Sequence, residues 1–193
     1  MSALVLGSAS PRRAELLAQL GLSFDRRAAD IDETPQPDEA PLAYVARMAR
    51  EKAAALRAAG VAGCLLTADT TVILDRRSLG KPADRDEGRA MLRSLSGRGH
   101  EVCTAVCCLA GSERRECSVL TRVEFMPLDD ALIEAYLDSD EPWDKAGAYA
   151  IQGLGGSFVR RVEGSVSNVI GLPLVETREL LAACGLEARV ARA

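Results

Sequence analysis

The stretch ALVLGSASPRRAELLAQLG, residues 3–21, contains the strongest fold signal of the chain. Its apolar start is typical of a short buried strand, and a helix is predicted from Pro11 to about Leu20. Ser10 is a preferred helix N-cap, Pro11 is favoured at the first helical position, and Gly21 ends the helix. A strand that runs through a tight loop into a helix is typical of an α/β fold.

The first turn of this helix contains Arg12 and Arg13, although the helix dipole favours acidic residues there. Each arginine would cost about 0.3–1 kcal/mol if nothing neutralised it. Free backbone N–H groups, the hydroxyls of Ser8 and Ser10 and two guanidinium groups together favour a phosphate site. The alternative is an exposed first turn whose arginines pair with Glu15 or with a following acidic loop.

The rest of the chain alternates between helical and extended patterns. Helices are predicted at residues 42–59, 86–95, 128–137 and 175–184. Strands are predicted at residues 64–74, 101–110 and 117–125, at the ends of the glycine-rich segment 146–162, and after residue 184. Residues 30–41, 75–80 and 111–116 are predicted to be loops. This order predicts an α/β fold in which helices flank a mixed, twisted β-sheet, and it is compatible with two lobes around a cleft.

The composition argues against several classes of protein. The net charge is −4 and aromatic residues make up 4% of the chain, so neither a global positive field nor stacking platforms for nucleic acid are expected. No apolar run approaches the roughly 20 residues of a membrane span, and no signal peptide precedes the first strand. We therefore expect a cytoplasmic protein without nucleic-acid or membrane partners.

The cysteines are interpreted as reduced core residues. None of the six forms a C-x-x-C pair, and most lie in apolar stretches. The single histidine, His100, has no cysteine at zinc-ligand spacing, so a zinc site is not expected. The six are Cys64, Cys103, Cys107, Cys108, Cys117 and Cys184.

Asp69 interrupts the apolar and threonine-rich run CLLTADTTVIL, Cys64–Leu74. Aspartate is depleted in strands, and a buried, unpaired carboxylate is costly, so this group needs a cation, a metal or hydrogen-bond donors. Strand alternation places Thr67 and Asp69 on one face and Thr70 on the other. A structural aspartate that caps a bend or pairs with a nearby lysine remains the alternative.

Three further charged residues are candidates for the same chemistry. Lys52 lies at the edge of the apolar stripe of its helix, where a lysine commonly extends its ammonium group to water. Lys81, in GKP, is held on a rigid turn. Glu33 lies in an acidic loop that is either solvated or folded toward Asp69, where two carboxylates would bind Mg²⁺ or orient a water.

The segment DKAGAYAIQG, residues 144–153, combines small residues with Lys145 and Gln152. Small residues permit close approach of the backbone to a ligand, and the Gln152 amide suits the edge of a nucleobase. A glycine-rich crossover in the core is the alternative interpretation.

These motifs together resemble the Maf family of nucleotide pyrophosphatases, in order and over nearly the whole chain. The matching motifs are SASPRR (residues 8–13), DET (32–34), ADTTV (68–72), GKP (80–82), SG (96–97) with His100, DKAGAYAIQG (144–153) and NVIGLPL (168–174). Arg12, Thr70 and Gln152 resemble the branch that acts on dTTP and UTP rather than the sister branch that acts on 7-methyl-GTP. Gly7, where the family commonly has alanine, is a small departure.

The resemblance implies a two-lobed fold with a deep nucleotide-binding cleft, usually as a homodimer, and hydrolysis of a nucleoside triphosphate between its α and β phosphates. It implies that Asp69 is the general base and that Mg²⁺ or Mn²⁺ is required, with Glu33 and Asp69 at the metal. The implied phosphate-binding residues are Ser8, Arg13, Lys52 and Lys81, beside Ser10 of the loop, and Arg12, Thr70 and Gln152 would set the base preference.

Two alternatives remain at this point. One keeps the chemistry but changes the base, toward 7-methyl-GTP or another modified nucleotide. The other is a non-catalytic regulator of cell division, since the family is linked to septum inhibition. An interaction protein has no need of Glu33, Lys52, Asp69 and Lys81 together, which favours an enzyme.

Overall fold

A computed structural model of the chain describes residues 3–188. The helices are α1 (Pro11–Ala18), α2 (Pro41–Ala58), α3 (Arg85–Leu95), α4 (Asp130–Leu137), α5 (Val166–Ile170) and α6 (Leu174–Ala183). The strands are β1 (Leu4–Leu6), β2 (Phe24–Arg26), β3 (Cys64–Leu74), β4 (Arg77–Leu79), β5 (Gly99–Ala110), β6 (Glu113–Phe125) and β7 (Val159–Glu163). Short 3₁₀ turns lie at Pro142–Asp144, Ala146–Ala148 and Leu154–Phe158.

The seven strands form one mixed sheet in the order β2-β1-β3-β5-β6-β7, with β4 paired to β3. Strand β1 is parallel to both β2 and β3, and the connections between these parallel strands contain α1 and α2, as a parallel crossover requires. The pairs β3–β4 and β6–β7 are antiparallel. The predicted α/β fold with a mixed sheet flanked by helices is confirmed.

The described part of the chain divides into two compact units. The first unit contains residues 3–69, 104–119 and 171–188, and the second contains residues 70–103 and 120–170. Strands β3, β5 and β6 each contribute residues to both units. The cleft that the sequence suggests stays a prediction.

In the first unit, α1 and α2 supply apolar faces to the core. Leu16 and Leu17 of α1 are buried, as the sequence predicts, whereas Leu20, the third residue of the predicted stripe, is half-buried and lies beyond the end of α1. Of the stripe predicted for the second helix, Val45, Ala49, Ala53 and Leu56 are buried, whereas Ala46 is only half-buried and Leu42 is 49% exposed. Met48 and Lys52 complete the buried face. One member of that face is a lysine, whose burial must be compensated by partners.

The core of the second unit is built around aromatic rings that meet edge to face. The ring centroids of Phe125 and Tyr149 lie 4.7 Å apart, and those of Tyr136 and Phe158 lie 4.9 Å apart. Helices α3 and α4 pack their leucine and isoleucine side chains against this group. Edge-to-face pairs of this kind add about 0.5–1.5 kcal/mol each beyond the area they bury.

Two strands extend into segments predicted to be loops. Strand β4 forms inside residues 75–80 because Asp75 and Arg76, with φ of 49° and 66°, make a two-residue hairpin turn. Strand β6 begins at Glu113, so the loop after β5 shrinks to Gly111 and Ser112. Apart from the half-buried Leu79, both extensions are polar in sequence and exposed, so they lack the apolar pattern that indicates a strand.

Other differences concern short elements. The sequence analysis did not predict β2 or α5, of three and five residues. The start of the glycine-rich segment is a 3₁₀ turn rather than a strand, because Gly147 and Ala148 adopt φ of 72° and 58°. Residues 186–188 are irregular, and the rest of the predicted last strand lies outside the described residues.

His100 lies in the core of the second unit and is 3% exposed. Its Nε2 atom shares a hydrogen bond of 2.8 Å with the Tyr149 hydroxyl, and its ring meets Phe125 edge to face at 5.0 Å. Among the described residues, none forms a hydrogen bond to its Nδ1 atom. Burial lowers the pKa of His100 from its ordinary 6.5 to about 4, because the charged imidazolium would be desolvated.

We expect the free energy of unfolding to decrease as the pH falls from about 6.5 to about 4, because the unfolded chain binds a proton at His100 before the folded chain does. This stability is fully present above pH 6.5 and is lost toward the folded pKa; the shift corresponds to roughly 3 kcal/mol. Urea unfolding of the wild type and of His100→Phe between pH 4 and 7 measures it. The free energy of unfolding of the wild type, relative to that of His100→Phe, should decrease as the pH falls. If this difference in free energy does not change with pH, His100 does not have a lowered pKa in the folded protein.

Candidate functional site

The loop after β1 is closed by its own serines and by Arg13. The Ser10 side chain caps α1 by accepting a hydrogen bond from the Arg13 backbone N–H at 3.5 Å. The buried Ser8 hydroxyl accepts from the Ser10 N–H at 3.2 Å and from the Arg13 Nη1 at 3.4 Å. Arg13 Nε donates to the Gly171 carbonyl at 2.8 Å. Arg13 is thus half-buried and held against the loop, rather than extended into water.

The electrostatic surroundings of Arg13 include both predicted carboxylates. Burial lowers the pKa of Arg13, the negative charges of Asp69 and Glu33 act in the opposite direction, and the neighbouring Arg12 adds to the lowering. A desolvated guanidinium beside a second cation gains most from an anionic ligand that forms two hydrogen bonds. This environment favours the phosphate interpretation of the SASPRR loop.

Gly7 fits a position with no space for a side chain. Its N–H donates to the Leu66 carbonyl at 2.7 Å, which ties the start of the loop to β3. A Cβ atom built here would lie 2.5 Å from Thr67 Cγ2 and 2.6 Å from Leu56 Cδ1. In this chain the departure from alanine is therefore a requirement of packing.

Lys52 joins the two candidate carboxylates. Its Nζ atom lies 2.7 Å from Asp69 Oδ1 and 2.7 Å from Glu33 Oε1. Lys52 is 8% exposed and Asp69 is 9% exposed, so the ammonium group does not extend to water as a surface lysine would. The lysine partner that a structural Asp69 requires is present, but it is shared with a carboxylate whose side chain is 52% exposed. A purely structural ion pair has no need of that half-exposed second acid.

One hydrogen bond between α2 and β3 lies close to the two charged residues. The Thr67 hydroxyl donates to the Ala49 carbonyl at 2.6 Å. Thr67 precedes Asp69 by two residues on the same strand face, and Ala49 precedes Lys52 by three residues on the same helix face. This contact therefore places Lys52 opposite Asp69.

The acidic loop between β2 and α2 is fastened to α2 by Tyr44 and Arg47. The Tyr44 hydroxyl donates to the backbone carbonyl of Glu33 at 2.9 Å. Arg47 donates to the Thr34 carbonyl at 3.1 Å and forms two hydrogen bonds of 2.7 Å with the Glu39 carboxylate. The helix that supplies Lys52 therefore also positions Glu33. The prediction that this loop can fold toward Asp69 agrees with the geometry.

Glu39 and Tyr44, which hold the acidic loop against α2, keep their protonation states at neutral pH. Hydrogen bonds from Arg47 lower the pKa of Glu39 to about 2, so this ion pair persists above pH 4.5 and weakens only as the pH falls toward 2. Burial raises the pKa of Tyr44 to about 12, and the charges of Asp69 and Glu33 add to the rise. Tyr44 therefore remains a hydrogen-bond donor.

Lys81 and the glycine-rich segment lie in the second unit. Lys81 is exposed at the turn before α3. The preceding Gly80 carbonyl accepts a hydrogen bond from the Gly147 N–H at 2.9 Å, so the GKP turn and the segment AGAYAIQG are joined through their backbones. A Cβ atom at Gly147 would lie 3.0 Å from Val72 Cγ2, and its φ of 72° also favours glycine.

Gln152 is exposed on a turn that Glu141 organises. The Glu141 carboxylate accepts from the backbone N–H groups of Leu154 and Gly155, each at 2.8 Å. The Tyr136 hydroxyl donates to the same carboxylate at 2.7 Å. These contacts fix the backbone that follows Gln152, so Glu141 is a positioning residue for this turn.

The remaining predicted residues have simple placements. Arg12 is half-buried in α1 next to Arg13, and Thr70 is half-buried in β3 directly after Asp69. Asn168, in the NVIGLPL motif, is buried, and its side-chain amide donates to the Val102 carbonyl at 3.0 Å. This asparagine therefore has a structural contact that accounts for its burial.

Of the predicted residues, the structure brings Ser8, Ser10, Arg13, Glu33, Lys52 and Asp69 together in the first unit. Sequence reasoning missed Tyr44, Arg47 and Glu39 around the acidic loop, and Glu141 beside the Gln152 turn. Tyr44 and Arg47 are one helical turn apart, but that spacing is equally typical of a solvated helix face. None of the described helices is long and apolar enough to cross a membrane.

The fold and this site define a class of α/β protein in which a loop held by Arg13 lies beside a lysine shared by two carboxylates. A family model described as Maf-like protein matches residues 3–184. A Myxococcus xanthus protein named dTTP/UTP pyrophosphatase is 56% identical over 183 residues, covering 95% of this chain and 93% of that protein. An Escherichia coli K12 protein of the same name is 52% identical over 186 residues, covering 94% and 92%. The chain belongs to the Maf family, as its motifs predicted.

Solved structures give a weaker, partial likeness. The Staphylococcus aureus Ham1 protein superposes with a TM-score of 0.46 and 13% identity, covering 64% of this chain and 71% of that chain. A HAM1 protein from Coxiella burnetii gives a TM-score of 0.45 and 19% identity, covering 65% and 73%.

Proposed function

We propose that this protein is a nucleoside triphosphate pyrophosphatase that hydrolyses dTTP and UTP to the monophosphate and pyrophosphate. The observation that carries the proposal is the pair of carboxylates shared by the Lys52 ammonium, next to the Arg13 loop, in a chain more than half identical to proteins named dTTP/UTP pyrophosphatase. Neither a 7-methyl-GTP enzyme nor a non-catalytic regulator is favoured by these relatives. A homodimer and a cytoplasmic location stay predictions from the sequence.

In the proposed reaction, Asp69 accepts a proton from water as the water oxygen attacks phosphorus at the α–β linkage. A new P–O bond forms, the bond to the bridging oxygen breaks, and pyrophosphate leaves with that electron pair. Phosphoryl transfer relies mainly on positioning and charge stabilisation rather than on covalent chemistry by the protein. We assign that stabilisation to Arg13, Lys52 and Lys81, with the Ser8 and Ser10 hydroxyls at the loop.

The chemistry of Glu33 and Asp69 fits a divalent metal ion such as Mg²⁺ or Mn²⁺. Because both carboxylate oxygens lie 2.7 Å from the same ammonium nitrogen, they are at most about 5.4 Å apart. Mg²⁺ commonly takes one or two carboxylates and completes its shell with water and substrate phosphates. Such an ion would neutralise charge on the triphosphate. When no metal ion is bound, Lys52 keeps the two carboxylates together.

We expect Arg47→Met to lower kcat for dTTP by about tenfold or more and to raise the Mg²⁺ concentration that gives half the maximal rate. The reason is that Arg47 fastens the acidic loop by its contacts to Thr34 and Glu39, which position Glu33. Steady-state kinetics at several Mg²⁺ concentrations measures both effects.

Arg50→Met is the matched control for this change. Arg50 lies on the same helix but pairs with the half-exposed Glu116 at 3.5 Å, and it acts on Glu39 of the acidic loop through its charge rather than through a hydrogen bond. We expect that variant to behave like the wild type. An Arg47→Met enzyme with wild-type kcat and wild-type Mg²⁺ dependence contradicts the positioning role.

Base preference is assigned to Arg12, Thr70 and Gln152. An amide such as that of Gln152 both donates and accepts, which matches the O4 and N3–H edge of thymine or uracil, whereas a glutamate only accepts. Base binding would cover this exposed amide, and a polar edge left unpaired in that contact costs about 1–3 kcal/mol, so one side chain can discriminate roughly tenfold to a hundredfold. We expect Gln152→Glu to reduce the preference for dTTP and UTP over GTP and 7-methyl-GTP by about that factor.

A panel of nucleoside triphosphates with Mg²⁺, scored for pyrophosphate release, tests both the activity and this preference. The wild type should act on dTTP and UTP well ahead of GTP and 7-methyl-GTP. Gln19→Glu, at an exposed glutamine of the first unit, controls for the added charge and should keep the wild-type order. Two results would contradict the proposed base preference and the role of Gln152 in it. One is a wild type that acts on 7-methyl-GTP faster than on dTTP and UTP, and the other is a Gln152→Glu enzyme that slows equally on every substrate.

A further inference from the structure

Three cysteines that are distant in the sequence meet in the first unit. The Sγ atoms of Cys64 and Cys108 lie 3.2 Å apart, and those of Cys108 and Cys184 lie 3.3 Å apart. All three sulfur atoms are within 4.8 Å of one another. Cys64 begins β3, Cys108 lies in β5, and Cys184 follows the last residue of α6. Three separate elements therefore direct a thiol to the same point.

The spacing of the sulfur atoms suits a shared metal ion better than a disulfide. Three ligands around one ion at a metal–sulfur distance of about 2.3 Å lie roughly 4.0 Å from one another, so the two short contacts need to open by about 0.7–0.8 Å. A disulfide requires about 2.05 Å and would use only two of the three thiols. All three cysteines are free thiols.

The donor set indicates which kind of ion fits. Within the described residues, the group consists of three cysteines and contains no histidine or carboxylate. Thiolate sulfur is a soft ligand that suits both Cu(I) and Zn²⁺, but structural Zn²⁺ sites almost always have four protein ligands and this group offers three. Three sulfur donors thus favour a soft monovalent cation.

A positive charge lies beside the group. Arg57 donates to the Gly63 carbonyl at 2.9 Å and to the Leu109 carbonyl at 3.3 Å, which are the residues next to Cys64 and Cys108 in the chain. Among the described residues, none accepts a hydrogen bond from the buried Arg57 Nε atom. A fixed guanidinium at this position compensates part of the negative charge of bound thiolates.

One cysteine of the group lies nearer to solvent than the other two. Cys64 and Cys108 are fully buried, whereas Cys184 is only partly buried. An ion would therefore enter from the side of Cys184, and the full burial of Cys64 and Cys108 would keep it away from water.

We propose that Cys64, Cys108 and Cys184 form a three-sulfur binding site for a soft metal ion of the Cu(I) class, separate from the nucleotide chemistry. Binding involves no electron transfer: each thiol that ligates the ion loses its proton to the buffer. The interpretation of all six cysteines as plain core residues is thereby replaced for these three and kept for Cys103, Cys107 and Cys117.

The test is Cu(I) binding by the full chain, reduced and kept without oxygen, after a thiol assay in denaturant has confirmed six free thiols per chain. Cu(I) is added in competition with a chromogenic Cu(I) chelator. The wild type should withdraw one Cu(I) per chain. Cys184→Ser should lose at least tenfold in affinity, and Cys117→Ser, at a partly buried cysteine outside the group, should bind like the wild type.

A second measurement does not depend on the folding of any variant. X-ray absorption at the copper edge of the loaded wild type should show three sulfur ligands. The proposal is overturned if the wild type leaves Cu(I) with the chelator, if it prefers Zn²⁺, if Cys184→Ser binds as tightly as the wild type, or if the copper has only two sulfur neighbours.

Discussion

Asp69→Asn is expected to retain the fold and to lose at least about 100-fold in kcat for dTTP. In the wild type, Lys52 donates a hydrogen bond to Asp69 at 2.7 Å. Asparagine has nearly the shape of aspartate and still offers an oxygen to Lys52. It cannot accept the proton of the attacking water, and it is a weaker ligand for a cation. The measurement is steady-state kinetics beside thermal unfolding of the same preparation.

Asp25→Asn provides the matched control, since it makes the same chemical change at an exposed position of β2. That variant should retain wild-type kinetics. A folded Asp69→Asn enzyme that turns over at nearly the wild-type rate shows that Asp69 is not the base.

Lys52→Met is expected to lower kcat/KM for every nucleotide by about 100-fold, because the ammonium both contacts phosphate in the proposed complex and holds Glu33 beside Asp69. The free energy of unfolding should also decrease by roughly 1–3 kcal/mol, since a nearly buried carboxylate loses its cation. The half-exposed Glu33 side chain can turn to water, which limits this loss.

Lys52→Arg separates the two roles of the lysine. Arginine keeps the charge but places it on a wider, planar group, so stability should return while activity recovers only in part. If Lys52→Met keeps a kcat/KM within about threefold of the wild type, the lysine has no part in the chemistry.

Much of the fold could be predicted because its elements have local signals. The alternation of apolar stretches with amphipathic stripes indicated the mixed α/β sheet, and the run from Cys64 to Leu74 was predicted with its observed bounds. Strand β4 and the start of β6 could not be found this way. Their polar residues are held by backbone pairing with a neighbouring strand, a contact that leaves no apolar pattern.

Some residues of the candidate site could likewise be predicted from the sequence, and others could not. Asp69 and Arg13 were identifiable because each conflicts with its local element, an acid in a buried strand and a cation at a helix start. Tyr44 and Glu141 act through hydrogen bonds to backbone groups 11 and 13 or 14 positions away. Such contacts depend on the folded path of the chain, so no local pattern predicts them.

The meeting of the three cysteines also could not be predicted from local sequence patterns. Its members are separated by 44 and 76 positions, so burial could be inferred from the apolar surroundings but proximity could not. The spacing rules for zinc sites concern ligands close in sequence and do not apply to this arrangement.

The central claim is that the triphosphate binds at the Ser8–Arg13 loop, beside Lys52 and the two carboxylates. A crystal structure of the wild type with Mn²⁺ and an α,β-methylene analogue of dTTP, which cannot be cleaved at that linkage, tests it most directly. We expect phosphate oxygens within hydrogen-bond distance of Arg13 and Lys52, and an anomalous Mn²⁺ peak at Glu33 and Asp69. A triphosphate bound away from Arg13 and Lys52, with no Mn²⁺ at either carboxylate, contradicts the account.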